Sequence, residues 1–382
     1  MSGDYWLLGT ITFLISFVGV VFYFRHSGIL LYGDAVAHIN IARRVFDSRT
    51  PGIFQLGTVW LPLPHLVDVP FIANDWMWRT GLGASIPSMV AYLAGTLGIF
   101  RLLRGYASRA AAWMGSLIYA LNSNLIYMQT TAMTEVLYLA FFIWAAVYLC
   151  EFVRYVKVDV ERGRRSLEWC AIMLCGAMLV RYDGWFLAAA MALAVVFTVW
   201  RTGQLAPPIR KAFISFLLLT GLTAGLWLAY NYATFYNALE FATGPYSTRA
   251  IVHASSMPVY PGLDHPRTAA MYFLKVARLN ISEGSLEFLL FNIAFVALLA
   301  ALCFSRRHWP ALLLWIPVPF YVLSIAWASV PVYLPQWWPH SYYNVRYGLQ
   351  MLPAVAVFGA LAFEFLARVM PARIPGIIIV LV

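Results

Sequence analysis

Three carboxylates and two arginines stand beside long apolar runs in this chain, where a charge is costly enough to need a reason. Gly33-Asp34 opens the stretch Gly33-Asp34-Ala-Val-Ala-His38-Ile-Asn40-Ile-Ala-Arg43-Arg44-Val-Phe46, whose apolar positions 35, 36, 39, 42, 45 and 46 recur as on one face of a helix lying in the membrane surface. A carboxylate there either caps the helix or takes a proton from a hydroxyl, and the two roles are compatible. His38 is four residues on, on the same face, where it can orient Asp34 or join a site. Glu135, in Thr131-Ala-Met-Thr134-Glu135, begins another apolar run, either as an acid suited to the positive end of a helix or as a second site group. Arg181-Tyr182-Asp183-Gly184 interrupts two runs, as a self-neutralising turn or as part of a site. Arg346-Tyr347 precedes a late run, and a planar guanidinium there can donate two parallel hydrogen bonds to a phosphate or serve as an interfacial anchor. Asn231 opens a segment, ending at Glu240, with two amides and an acid.

The elements that must position these residues are read from composition. With 62% apolar and 11% charged residues in a chain of 382, the sequence is far from the roughly 25% charge of soluble domains. A mean hydropathy of +0.74 points the same way. An all-α polytopic membrane protein is expected. Apolar runs predict spans near 5–24, 84–104, 109–129, 133–153, 167–182, 184–201, 212–235, 285–304, 309–328 and 347–368. The first lacks a basic leader and a small-residue cleavage site and reads as a retained helix. A further run from Ile374 to Val382 stops with the chain, so an eleventh span and more sequence beyond it are expected.

Most of the 26 Lys and Arg, among them Arg101, Arg104, Arg154, Arg164, Arg201 and Lys211, fall on one side of this layout, which makes that side cytoplasmic. Loops of about 25–83, 236–284 and 329–346 are then extracytoplasmic, and all the candidate carboxylates sit at that face. The segment 60–74 carries three prolines with His65 and Asp68; it is expected to be re-entrant or interfacial rather than a span. The net charge of +10 is explained by these loops and gives no support to nucleic-acid binding. Cys150, Cys170, Cys175 and Cys303 lie in or beside spans and read as core thiols. No P-loop, HExxH or Gly-x-Ser-x-Gly motif stands in its required context.

In order and sidedness, Gly33-Asp34, Thr134-Glu135, Asn231 onward and Arg346-Tyr347 resemble the GT-C superfamily of polyprenyl-phosphate-dependent glycosyltransferases, over nearly the whole chain. The likeness is to its bacterial protein O-mannosyltransferase and aminoarabinose-transferase branch, though this chain has Asp34-Ala35 where that family often has Asp-Glu. The resemblance implies a single GT-C-type domain over 1–382 in a plasma, bacterial inner, membrane, with an extracytoplasmic site. It implies an inverting hexosyl or pentosyl transferase that takes a sugar from a polyprenyl-phosphate donor. Asp34 is then the general base towards an acceptor hydroxyl, and Arg346 stabilises the departing lipid phosphate. Glu135, Asp183, Arg181, Tyr347, His38 and Asn231 would contact substrate, and Asp34 with Glu135 would share a divalent cation, Mg or Mn.

The rival reading is a transporter or flippase for lipid-linked sugars, which expects charges at mid-membrane in repeated halves. The carboxylates here gather at one face and no repeat is visible, which favours the enzyme. The loop from Ala238 to Gly284 is expected to cover the cavity, with Tyr236, Tyr246 and Tyr260 as sugar-stacking surfaces.

Overall fold

The computed structural model describes residues 2–254, 260–282, 284–304 and 309–369. Described residues form helices α1 Ser2–Arg25, α2 Gly33–Arg44, α3 Pro62–Ile72, α4 Asp75–Thr80, α5 Leu82–Arg104, α6 Arg109–Ala120, α7 Ser123–Met128, α8 Thr134–Tyr155 and α9 Val160–Val180. The second half adds α10 Asp183–Thr202, α11 Pro207–Phe235, α12 Glu240–Thr243, α13 Thr248–Ala254, α14 Pro266–Ile281, α15 Gly284–Phe304, α16 Pro317–Trp327 and α17 Leu352–Val369. Among the described residues there is no strand, only the isolated bridge between Tyr333 and Tyr343. The chain is an all-α polytopic membrane protein, as expected.

Among the described residues, seven helical stretches are long and apolar enough to cross a membrane: α1, α5, α8, α10, α11, Trp309–Trp327 and Val345–Arg368. The expected layout of ten needs correction at three places. The run 109–129 breaks at Asn122, whose side chain caps α7 by accepting from Leu125 N at 2.9 Å and donates to Asn280 O at 2.7 Å. The helix expected over 167–182 begins earlier, at Val160, because Asp159 caps it and Arg164 bridges Glu161 and Glu168 along its first turns. That charged start lies at the Arg154 end of α8, and the rest of α9 returns the chain to the end where Arg181 meets Glu135. In α15 the apolar stretch described is the shorter Phe288–Ala300. The expected eleventh run, 374–382, lies outside the described residues, as does the side chain of Cys303. The segment 60–74 holds α3, which is not one of the seven.

The central helix is α8, buried along most of its length and packed against α9 and α5. Its entry is an irregular segment, 129–133, with every residue buried. Irregular backbone inside a membrane bundle must find partners within the protein. Here Ser85 and Ser88 of α5 donate to the carbonyls of Thr130 at 2.6 Å and Thr131 at 2.8 Å, while Gln129 is bound to Ser16 of α1. These bonds fix where α8 starts, and so where Glu135 lies.

Close backbone approach sets the other two site elements. Gly184, at the start of α10, leaves no room for a Cβ, which would stand 2.5 Å from the backbone of Ala177 in α9. Gly348 lies in a 3₁₀ turn, Val345–Met351, where an added Cβ would meet Val276 O of α14 at 2.4 Å. The same turn is held by Asn280 of α14, which donates to Val345 O at 2.7 Å. Gly348→Ala should therefore cost about 1–3 kcal/mol, the scale of overpacking, and displace Arg346. Thermal unfolding in detergent reads the first effect, and wild-type stability in that variant would show the contact to be soft.

Candidate functional site

The sequence-predicted charges converge. Glu135, in the first turn of α8, is fully buried, and its Oε1 accepts from Arg346 Nε at 3.0 Å and from Arg181 Nη1 at 3.2 Å. Arg346 Nη2 reaches on to Asp34 Oδ2 at 2.5 Å, and Arg181 Nε to Asp183 Oδ2 at 3.2 Å. The result is an alternating row, Asp34, Arg346, Glu135, Arg181, Asp183, drawn from four separate parts of the chain. Arg181 completes its fork with Thr134 Oγ1 at 2.9 Å and Tyr321 OH at 3.0 Å, and Tyr321 itself donates to Asp183 Oδ2 at 3.2 Å. The Tyr347 ring lies 5.2 Å from the Arg346 guanidinium and 5.1 Å from that of Arg181, and stacks on Tyr321 at 5.3 Å.

Local conformation delivers each group. Arg181 has an extended backbone that ends α9 and turns the chain into α10, which brings Asp183 back beneath its own guanidinium. Asn344 precedes the 3₁₀ turn with φ of 55°, a left-handed conformation that Asn tolerates, and its side chain donates to Pro331 O at 2.9 Å. Asp34 is not the cap of α2: Tyr32 holds that position in extended backbone, and the Asp34 carboxylate goes to Arg346 instead. The capping role allowed by the sequence is thus absent, because the arginine is the nearer and stronger partner.

A cavity of about 510 Å³ opens over this row, lined by Asp34, His38, Glu135, Arg181, Asp183, Arg346 and Tyr347 among others. Two of the carboxylate oxygens in this row, Glu135 Oε2 and Asp183 Oδ1, are buried without a hydrogen-bond partner among the described residues. The side chain of Asp34 is 40% exposed, which distinguishes it from the buried Glu135 as the acid a substrate can reach. Phe241, Ser247, Thr248 and Arg249 line the rim, so the described part of the 238–284 loop does border the cavity. Its tyrosines do not: Tyr236 and Tyr246 are exposed, and Tyr260 is buried with its hydroxyl on Ile325 O. The aromatic surfaces are Trp60, Tyr182, Phe241, Phe320, Tyr321, Trp327 and Tyr347 instead. Asn231 is likewise away from the lining; it donates to Trp227 O at 2.8 Å and bonds to Thr58, tying the first loop to α11. Tyr321, Trp60 and Arg249 carry no motif, and only three-dimensional proximity identifies them.

The shared cation expected for Asp34 and Glu135 meets an arginine in its place. Arg346 lies between the two carboxylates, and among the described residues no three of His, Cys, Asp and Glu come together as ligands. The residues do not fit a divalent ion, and no step is derived through one.

His38 is buried, with Nδ1 2.8 Å from His65 Nε2 and its ring 4.6 Å from Trp60. Burial, with Arg346 and Arg181 nearby, pushes its pKa down to about 3, and burial also pulls His65 well down. Asp68, one turn from His65, is raised well above the ordinary carboxylate range by burial.

The match with known proteins follows this geometry. The sequence profile of the family described as dolichyl-phosphate-mannose-protein mannosyltransferase matches residues 78–227. Over 95% of its length the chain superposes on ArnT from Cupriavidus metallidurans, with a TM-score of 0.61 and 15% identity to the apo form. Against the form bound to undecaprenyl phosphate the TM-score is 0.64 at 14% identity. The chain spans 60% of the length of that protein. No curated protein matches it. The chain thus has the GT-C fold, and the resemblance read from its residues is borne out at that level.

Two predictions follow from the charge row and the histidines. Arg181→Leu strands Glu135 and Asp183 at once and should cost about 3–5 kcal/mol, whereas Arg346→Leu leaves Glu135 its second guanidinium and Asp34 its solvent, and should cost less than half as much. Equal losses in denaturant unfolding would contradict the shared-oxygen arrangement. Because His65 is neutral in the fold but protonates near 6.5 when unfolded, the unfolded state binds the extra proton and stability falls as pH drops below 6.5. Asp68, with its raised pKa, works in the opposite direction, losing stability as pH rises above 3.8, so the difference between proteins is the clean reading. Wild type should lose about 1.4 kcal/mol per pH unit more than His65→Gln below pH 6.5. Parallel curves would show that His65 is charged in the fold.

Proposed function

We propose that this protein is a membrane glycosyltransferase that moves a sugar from a polyprenyl-phosphate donor to an acceptor hydroxyl, with Asp34 as general base. The observation that carries the reading is the half-exposed Asp34 carboxylate at the 510 Å³ cavity, with Oδ2 held by Arg346 and Oδ1 without a partner among the described residues. As the acceptor oxygen attacks the anomeric carbon, its proton passes to Asp34 and the bond from that carbon to the phosphate oxygen breaks. The lipid phosphate then leaves with the electron pair. A single displacement of this kind inverts the anomeric centre.

The leaving phosphate needs a donor that is not already committed. All three nitrogens of Arg181 are engaged, but Arg346 has Nη1 unpaired among the described residues, so Arg346 is the arginine that can meet charge as it develops. Arg249 on the rim adds a cation with no ion-pair partner among the described residues. An undecaprenyl-phosphate-bound protein of the same fold, and the mannosyltransferase profile, support a lipid-linked donor.

Glu135 and Asp183 stand at the starts of α8 and α10, while Arg154 and Arg201 lie in the last turns of the same helices. With the basic ends cytoplasmic, the cavity faces the extracytoplasmic side of a plasma, bacterial inner, membrane. The same placement at helix ends, rather than at mid-span, disfavours the transporter alternative.

Asp34→Asn removes the base and half of one partly exposed pair, so folding should change by no more than about 1 kcal/mol while transfer falls by about 100-fold or more. Arg346→Lys keeps the charge but loses the fork, and should weaken donor use without abolishing it. The measurement is release of undecaprenyl phosphate from a panel of lipid-phosphate sugars; undiminished release by Asp34→Asn would remove Asp34 from the mechanism.

A further inference from the structure

The proposed chemistry uses the charge row and leaves the buried histidine pair unexplained. His38 lines the cavity one helical turn from Asp34, yet it makes no bond to that carboxylate; its Nδ1 is occupied by His65 Nε2 at 2.8 Å. His38 Nε2 has no partner among the described residues, and Trp60, itself part of the lining, lies against the ring at 4.6 Å. His65 is fully buried, and its own Nδ1 is a buried nitrogen without a hydrogen-bond partner.

One proton lies between the two rings, and its position decides what the cavity meets. If His38 Nδ1 donates, His65 must carry its other proton on Nδ1, leaving a buried N–H with nothing to donate to. If His65 Nε2 donates, His65 Nδ1 is only a bare lone pair, and His38 carries its proton on Nε2. Orphaned buried N–H groups are the rarer of the two defects in proteins. A charged pair is disfavoured because both rings are buried, His38 near the guanidiniums of Arg346 and Arg181 and His65 near that of Arg44.

We infer that His65 is a positioning residue that locks His38 in its Nε2–H form, so that His38 presents a neutral hydrogen-bond donor to an oxygen of the lipid-linked donor in the cavity. This rests on the lipid-phosphate reading above. The oxygen belongs to a sugar hydroxyl or to the phosphate. A neutral donor suits either at a site that already carries three carboxylates and three guanidiniums: it adds direction without adding charge.

The test uses the full chain in detergent and two probes, undecaprenyl phosphate and mannosyl-phosphoryl-undecaprenol, with affinity read by titration. His38→Leu should weaken binding about tenfold, the scale of one hydrogen bond. Loss on both probes assigns the phosphate oxygen, and loss on the glycosylated probe alone assigns a sugar hydroxyl. His65→Leu should weaken the same probe about fivefold, while His65→Gln, whose amide can still donate to His38 Nδ1, should return to within about twofold of wild type. Nitrogen-15 spectra of labelled histidine should show His38 protonated at Nε2 in wild type and His65→Gln, and shifted towards Nδ1 in His65→Leu, a change that a merely structural role would not produce. Wild-type affinity in folded His38→Leu, or His38 protonated at Nδ1 in wild type, would overturn the inference alone. Failure of wild type to bind either probe would instead overturn the lipid-phosphate reading, and the inference with it.

Discussion

The site depends on one atom, Glu135 Oε1, which accepts from two guanidiniums that come from opposite halves of the chain. A fully buried carboxylate is tolerable only when paired and hydrogen-bonded, since its desolvation costs several kcal/mol. Arg181 and Arg346 meet that cost together, and in doing so each is drawn to a fixed place. Asp183 and Asp34 then sit at the outer ends of the row because the guanidiniums have donors left over. Arg181 has none to spare once Tyr321 and Thr134 are counted, so α8, α10 and α16 meet at a single side chain.

Charge also separates the roles of the three acids. Glu135 is buried between two cations, Asp183 is buried beside one, and Asp34 is open to the cavity beside one. Only the last combines access with a free oxygen, so the order of burial along the row marks out the acid that a substrate proton can reach.

Much of this was legible in the residues. Each of Asp34, Glu135, Asp183 and Arg346 stood at the edge of an apolar run, where charge needs a partner, and their common side followed from the distribution of Lys and Arg. The seven helices that qualify as spans begin or end within a few residues of the runs that predicted them. What sequence could not supply was partnership. Asn231 looked like a site amide but is taken up by Thr58 and Trp227, a contact across the first loop that no local pattern encodes. Tyr260 looked like a stacking surface but is buried on Ile325, while Tyr321, inside an apolar run, supplies the hydroxyl at the site. The break at Asn122 was hidden because an amide amid apolar residues shows its capping role only when α14 arrives to use its other end.

The serines of α5 act as a ruler for the whole arrangement. Ser85 and Ser88 are one turn apart, and the two carbonyls they meet, Thr130 and Thr131, are consecutive. One turn of helix on α5 is thereby matched to a single residue step of unwound chain, and sliding either strand of this contact by one position would break both bonds and leave two carbonyls bare in the bundle. The depth at which Glu135 sits is therefore measured from the start of α5, not from the far end of α8. Changes of length at the Arg104 end of α5 leave that depth untouched, whereas a residue gained or lost between Ser88 and Thr131 has to be absorbed in the connections before it reaches the carboxylate.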